Sequence, residues 1–239
     1  MKILKNWADI PKMLKNDDTL YYYKILATKK NQLLIKRLLD IIFSLILILI
    51  LSPIMIITFI LIKLDSKGPA IYKQKRVTIY GKIFNIYKFR TMRIDADKNG
   101  INITVKEDSR ITRLGKFLRK YRIDEFPQLF NILLGDLSFV GTRPEVEKYV
   151  EKYSDTMKAT LLMPSGVTSM TSVAFRNEDE LLKKFADDFS CDIETAYIKY
   201  ILPAKMQINL DYIKNFSLYN DFRIILITVL IIFKIRRSY

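Results

Sequence analysis

The residues best suited to chemistry stand together in the run Asp124-Glu125-Phe126-Pro127-Gln128-Leu129-Phe130-Asn131. The two adjacent carboxylates directly follow six cations, Arg110, Arg113, Lys116, Arg119, Lys120 and Arg122, with no acid among them. Proline is tolerated in the first turn of a helix, where its missing N–H is not needed. The spacing therefore predicts a helix beginning near Pro127, with Asp124 at or near its N-cap. The helix dipole and the nearby cations would favour an ionised Asp124 there. An ionised aspartate can attack phosphorus and carry a phosphoryl group covalently, and Glu125 could hold a magnesium ion that neutralises a pyrophosphate. The same pair serves equally well as a plain helix cap with dipole compensation, and local physics leaves both readings open.

Further cations could grip phosphate. Arg143 precedes Pro144, which favours extended backbone and a side chain that projects from its loop. A guanidinium placed so can bind phosphate through two hydrogen bonds, or pair with Glu145 or Glu147 at the surface. Lys88 and Arg90 are two apart and would share one face of a strand, as phosphate clamps or as anchors to lipid headgroups.

Composition narrows the chemistry. The 239 residues include no histidine, which removes the commonest general base and zinc ligand. Cys191 is alone, so neither a disulfide framework nor a cysteine metal cluster can form. Any metal ligands must be oxygens, which suits magnesium. A net charge of +15 points to polyanions, and the long apolar segment favours lipid and phosphates over nucleic acid.

The elements that must position these residues begin with that apolar segment. Residues 41–62 carry no charge and are long enough to cross a bilayer. Two features predict another path. Ser52-Pro53 sits at the centre, where proline removes a backbone hydrogen bond and the Ser52 hydroxyl can satisfy a freed carbonyl. Both flanks are basic, with Lys36 and Arg37 before and Lys63, Lys67, Lys73, Lys75 and Arg76 after. Positive charge marks the cytoplasmic side, so both ends belong there, and a bent helix in one leaflet satisfies this.

Residues 70–90 read as a β-hairpin opened by Gly68-Pro69 and turned at Tyr80-Gly81. A polar loop is expected over 93–109, and a basic amphipathic helix over 110–122 that can lie on an anionic surface. Helices are expected at 146–160 and at 192–216, the latter interrupted at Pro203. Residues 224–233 are too short to span and would rest on the membrane or pack on the domain. Residues 1–35 suit an interfacial or a packing segment.

Taken in order, the basic-flanked Ser-Pro segment, Tyr87-Lys88-Phe89-Arg90-Thr91-Met92, Asp124-Glu125 with Gln128-Leu129-Phe130-Asn131, and Gly135-Asp136-Leu137-Ser138-Phe139-Val140-Gly141-Thr142-Arg143-Pro144 form a specific set. The chain resembles the bacterial sugar transferase family, small monotopic polyprenyl-phosphate phosphoglycosyl transferases, over roughly residues 33–233. The resemblance implies an α+β, mainly helical fold. Its parts would be an accessory segment (1–35), a re-entrant helix broken at Ser52-Pro53 (36–63) and a cytosolic catalytic domain (64–239). It implies transfer of a sugar 1-phosphate from a UDP-sugar to undecaprenyl phosphate with release of UMP, at the cytoplasmic face of the bacterial membrane. Asp124 would be the nucleophile and Glu125 the Mg2+ ligand, with Lys88, Arg90, Gln128, Arg143 and Glu145 around the substrate phosphates.

Two departures stand out. Gly141-Thr142-Arg143-Pro144 replaces the family's frequent Gly-Pro-Arg-Pro. The stretch Gly166-Val167-Thr168-Ser169-Met170-Thr171-Ser172-Val173 replaces a Gly-Trp-Ala-Gln-Val type run, which bears on recognition of the donor sugar. The rivals are a non-enzymatic, membrane-anchored basic protein that binds anionic lipid or nucleic acid, and a CDP-alcohol transferase, whose several spans and aspartate-rich motif are not visible in the sequence.

Overall fold

The computed structural model describes residues 4–93 and 110–236, so the polar loop expected at 93–109 falls outside the described residues except for Arg93. After two short 3-10 turns, the chain forms α1 (Asp17–Ala27) and then α2 (Lys30–Asp65). The N-terminal segment packs on the domain: Leu4, Ile10, Leu14 and Leu26 are all buried in the main core. Asn16 caps α1 by accepting from the Thr19 N–H.

The uncharged run lies within α2, whose 36 residues extend beyond the expected 36–63 and keep Pro53 inside one continuous helix. Among the described residues it is the one helix long and apolar enough to cross a membrane. One stripe of it, through Leu33, Lys36, Asp40, Ser44, Thr58 and Ile62, is buried at helical spacing. Most of the rest is exposed and apolar, including Leu38, Phe43, Leu49, Ile50, Ile57 and Ile60. Both ends of α2 are tied to the same body. Near its start the Asp40 carboxylate accepts from the Phe139 N–H, and at its finish Arg90 bonds the Ile62 and Ser66 carbonyls.

The hairpin forms as expected. β1 (Ile71–Val77) pairs antiparallel with β2 (Ile83–Phe89), and the turn takes positive φ at Tyr80 (59°) and Gly81 (75°). The basic helix is shorter than expected, as α3 (Arg113–Lys120), and Thr112 caps it. A 3-10 turn over Ile123–Glu125 leads into α4 (Gln128–Leu134), which ends on Gly135 in the left-handed region. Next come β3 (Leu137–Val140), α5 (Glu147–Val150), α6 (Asp155–Lys158) and β4 (Ser165–Thr168), which pairs parallel with β3. The single helix expected at 146–160 is thus two short helices followed by a 3-10 turn.

The chain closes with α7 (Met170–Ala174), α8 (Glu178–Asp188), α9 (Ile193–Ala196), a π-helical turn (Tyr197–Ile201), α10 (Leu202–Lys214) and α11 (Leu218–Arg236). Pro203 falls in the first turn of α10, where it is tolerated, so the break precedes it. In α11, Tyr219, Phe222, Leu226 and Leu230 are exposed, while Ile224 is buried. The Lys36 ammonium is 2.5 Å from an Asp221 carboxylate oxygen, which joins α2 to α11 in a buried pair.

Candidate active site

The acidic pair does not cap a helix. Arg122 adopts left-handed backbone (φ 58°), which ends α3 and turns the chain into the 3-10 segment. Pro127 occupies the N-cap position of α4, so Asp124 sits three residues upstream. Asp124 is 8% exposed, and its Oδ1 is buried with no hydrogen-bond partner. A capping role would have given that oxygen a backbone N–H.

Strand β2 brings Lys88 to the pair: its Nζ lies 3.7 Å from Glu125 Oε1. Arg122 Nη1 donates to the same oxygen at 3.2 Å. Burial would raise the Glu125 carboxyl, but Lys88, Arg122 and Arg143 outweigh it and hold Glu125 below its ordinary range. Burial pushes Asp124 up to about 6, helped by the Glu125 charge and opposed by Lys88, Arg122 and Arg119. Burial also pulls the Lys88 ammonium down, against the pull of Glu125. The two carboxylates are thereby differentiated, one firmly charged and one poised to titrate near neutrality, as acid–base and nucleophilic sites require.

Several residues that the sequence reading did not place in the site hold this geometry. Asn131 accepts from the Tyr87 N–H at 2.9 Å and donates to the Asn85 carbonyl at 2.8 Å, so it docks α4 on the free edge of β2. Arg37 donates to the Ile132 and Leu133 carbonyls at 2.5 and 2.8 Å, capping the far end of α4 from the apolar helix. Lys36, Arg37 and Asp40 are polar positions at helical spacing beside an apolar run, and that spacing was the available signal.

Arg143 projects from its loop as expected, is exposed, and donates to Ser172 Oγ at 3.1 Å. Its charge acts on both Lys88 and Glu125. The contact with Ser172 places the atypical 166–173 stretch beside the arginine. Gln128 is buried in the first turn of α4.

Two expected ligands point elsewhere. β2 stops at Phe89, and the Arg90 guanidinium, rather than sharing a face with Lys88, bonds the carbonyls of Ile62, Ser66 and Lys67 and the Ser66 hydroxyl. It closes the C-terminus of α2, where orphan carbonyls need donors. Glu145 turns inward to Lys205 and is 5% exposed.

An apolar cleft of about 870 Å³ opens against α4, and Pro127 on its wall is two residues after Glu125. Pro127, Phe130 and Leu134 of α4 form one wall, and Ile56 and Phe59 of α2 and Phe89 of β2 line the rest, with Lys63 and Lys73 also on its walls. The groove is suited to a long apolar chain, and Lys63 and Lys73 are the charged residues that line it.

Among the described residues no three carboxylate, cysteine or histidine side chains gather as a metal cage. The all-oxygen pair with an unpartnered buried oxygen nonetheless fits magnesium, which takes one or two carboxylates and completes its shell with water and phosphate.

Comparison with known proteins gives a consistent picture. A family model described as bacterial sugar transferase matches residues 31–235. The chain is 35% identical over 225 residues to the galactosyl transferase CpsE of Streptococcus agalactiae serotype III, covering 88% of this chain and 44% of that protein. It is 36% identical over 207 residues to a UDP-N-acetylgalactosamine-undecaprenyl-phosphate N-acetylgalactosaminephosphotransferase of Aeromonas hydrophila, covering 85% and 43%. It is 32% identical over 197 residues to an uncharacterized sugar transferase of Bacillus subtilis, EpsL, covering 82% and 86%. The chain therefore spans less than half the length of the first two relatives.

Proposed function

This chain belongs to the bacterial sugar transferase family, and from that premise we propose that it transfers a sugar 1-phosphate from a UDP-sugar to undecaprenyl phosphate and releases UMP. The observation that carries the reading is the Asp124 carboxylate: buried, with one oxygen unpartnered, beside a charged Glu125, and three residues from Pro127 on the wall of the apolar cleft. The names of two relatives support the acceptor, since both the Aeromonas protein and a Salmonella typhimurium undecaprenyl-phosphate galactose phosphotransferase specify undecaprenyl phosphate.

In this reading Lys88 and Arg143 hold the donor pyrophosphate. Asp124, ionised above about pH 6, attacks the sugar-linked phosphorus. The bond from that phosphorus to the bridging oxygen breaks, and UMP leaves with the electron pair. The aspartyl phosphosugar is then attacked by a phosphate oxygen of the acceptor, which restores the Asp124 carboxylate and yields the lipid-linked pyrophosphoryl sugar. Glu125 would hold Mg2+, which when bound neutralises the pyrophosphate charge. The apolar cleft receives the first isoprene units, so the acceptor phosphate arrives at the carboxylate without leaving the headgroup layer.

We also read α2 as re-entrant in a single leaflet. Its two ends dock on the same body, and its outward face is apolar along most of its length. A helix crossing the bilayer would separate those ends by about 30 Å of hydrocarbon. The active site then lies at the cytoplasmic face, where a soluble donor and a lipid acceptor can meet, and its product is the first lipid-linked unit of a surface glycan.

The test is Asp124→Asn. The variant should bind membrane and fold while losing both UMP release from a panel of UDP-sugars and capture of a phosphosugar adduct. Turnover near that of the wild type would overturn the nucleophile.

A further inference from the structure

Thr142, Pro144 and Glu145 are buried, while Arg143 between them is exposed. The loop's backbone is tied on both sides: Gly166 N–H donates to the Thr142 carbonyl at 2.8 Å, Val77 N–H to the Glu145 carbonyl at 2.9 Å, and Arg76 to the Pro144 carbonyl at 3.3 Å. Its one inward charge, Glu145, meets a lysine that no step of the proposed reaction uses. Lys205 of α10 is 2% exposed. Its Nζ lies 3.8 Å from Glu145 Oε1, 2.7 Å from Glu178 Oε1 and 3.3 Å from the Tyr197 hydroxyl, whose proton the nearby Glu145 and Glu178 charges help to hold.

The backbone is adapted to build this cluster. Tyr197 and Lys205 are eight residues apart, which in a regular α-helix puts them about 80° apart around the axis. The π-helical turn Tyr197–Ile201 absorbs an extra residue, so the pair behaves like positions seven apart and falls about 20° from alignment. Lys205 also stands 4.9 Å over the Tyr197 ring. Such a cluster is a poor way to gain stability, because desolvating the charges offsets their attraction and well-packed apolar residues would serve as well. What it supplies is a fixed position for Glu145, two residues from the exposed arginine.

We propose that Lys205, with Glu145, Glu178 and Tyr197, is a buried ionic clamp that sets the position of Arg143 for the donor pyrophosphate. All four are positioning residues, and Glu145 is not itself a ligand. The inference rests on the proposed donor site.

The experiment uses the full chain in lipid nanodiscs. Lys205→Met should raise the KM for UDP-sugar roughly ten- to hundredfold, the value of charge-assisted hydrogen bonds lost at Arg143, and leave the KM for undecaprenyl phosphate unchanged. Lys205→Arg should restore most of the donor affinity. In an Arg143→Ala background, Lys205→Met should add less than about twofold, because the clamp acts through that arginine.

An unchanged donor KM in folded Lys205→Met, or an undiminished added loss on Arg143→Ala, would overturn the clamp. If Lys205→Met does not fold, Glu145→Gln/Lys205→Met, which leaves neither partner of that pair charged, is subjected to the same two comparisons with the same meaning. A wild-type chain that neither binds UDP nor releases UMP overturns the donor site and the clamp together. One that does both, with a Lys205→Met variant that matches it, overturns the clamp alone.

Discussion

The Ser52 hydroxyl donates to the Leu49 carbonyl at 2.8 Å, and Leu49 is the residue four before Pro53, whose carbonyl a proline leaves without its helical donor. The side chain stands in for the missing N–H. Ser52→Ala should destabilise the protein by about 1 kcal/mol, and the same change in a Pro53→Ala background should have almost no effect, since the alanine N–H then bonds Leu49. Denaturation of the four proteins in one detergent measures the coupling. Equal losses in both backgrounds would mean that the hydroxyl serves another purpose.

Asn131 makes two hydrogen bonds that no apolar residue of its size can reproduce. Asn131→Leu should leave the Tyr87 N–H and the Asn85 carbonyl unpaired and destabilise the fold by about 2–4 kcal/mol. Because α4 follows the acidic pair directly, UMP release should fall more steeply than thermal stability. Activity assays at a temperature where the variant is fully folded separate the two effects.

Asp124 carries a stability penalty that depends on pH. Its folded value of about 6 lies above its ordinary value of 3.8, so its favourable contribution is complete below about pH 4 and is lost as pH rises through 6. The loss is about 3 kcal/mol by linkage. Asp124→Asn mimics the neutral acid. In metal-free buffer the variant should match the wild type near pH 4 and exceed it by roughly 6–12 °C in Tm at pH 7.5. A wild type that is the more stable at pH 7.5 would contradict the raised value.

Gly115 has no room for a side chain: a Cβ would lie 2.1 Å from the Thr91 carbonyl oxygen, a backbone atom. Gly115→Ala normally favours a helix, yet here it must push α3 off residue 91 and with it Arg119, which bonds the Thr91 hydroxyl. The expected result is destabilisation by about 1–3 kcal/mol, read by thermal unfolding. A stabilised variant would show that α3 can shift freely.

Features encoded locally were legible in the sequence. The hairpin follows from its turn residues, the long apolar helix from hydropathy, and the Ser52 bond from proline's known defect. What depended on long-range reach was not. Arg90 has the same spacing as a clamp residue, but its side chain extends to the end of α2, more than twenty residues earlier in the chain. The cap expected of Asp124 fails because Arg122 takes left-handed backbone, a conformation no residue-type preference indicated there. Glu145 faces inward because a lysine sixty residues later awaits it. The roles of Arg37 and Asp40 required knowing that α4 and β3 pack against the apolar helix.

The packing of α2 has a practical consequence for anyone handling this protein. Leu47, Ile48 and Leu51 sit against Phe84, Ile86 and Ile132, and Met55 against Phe89 and Leu118. Trimming the chain to a water-soluble fragment that begins after Asp65 would strip residues from all three of its apolar clusters and uncap α4. This helix cannot be severed to ease purification. A useful preparation has to keep it, and the amphiphile chosen need mask only its outer face.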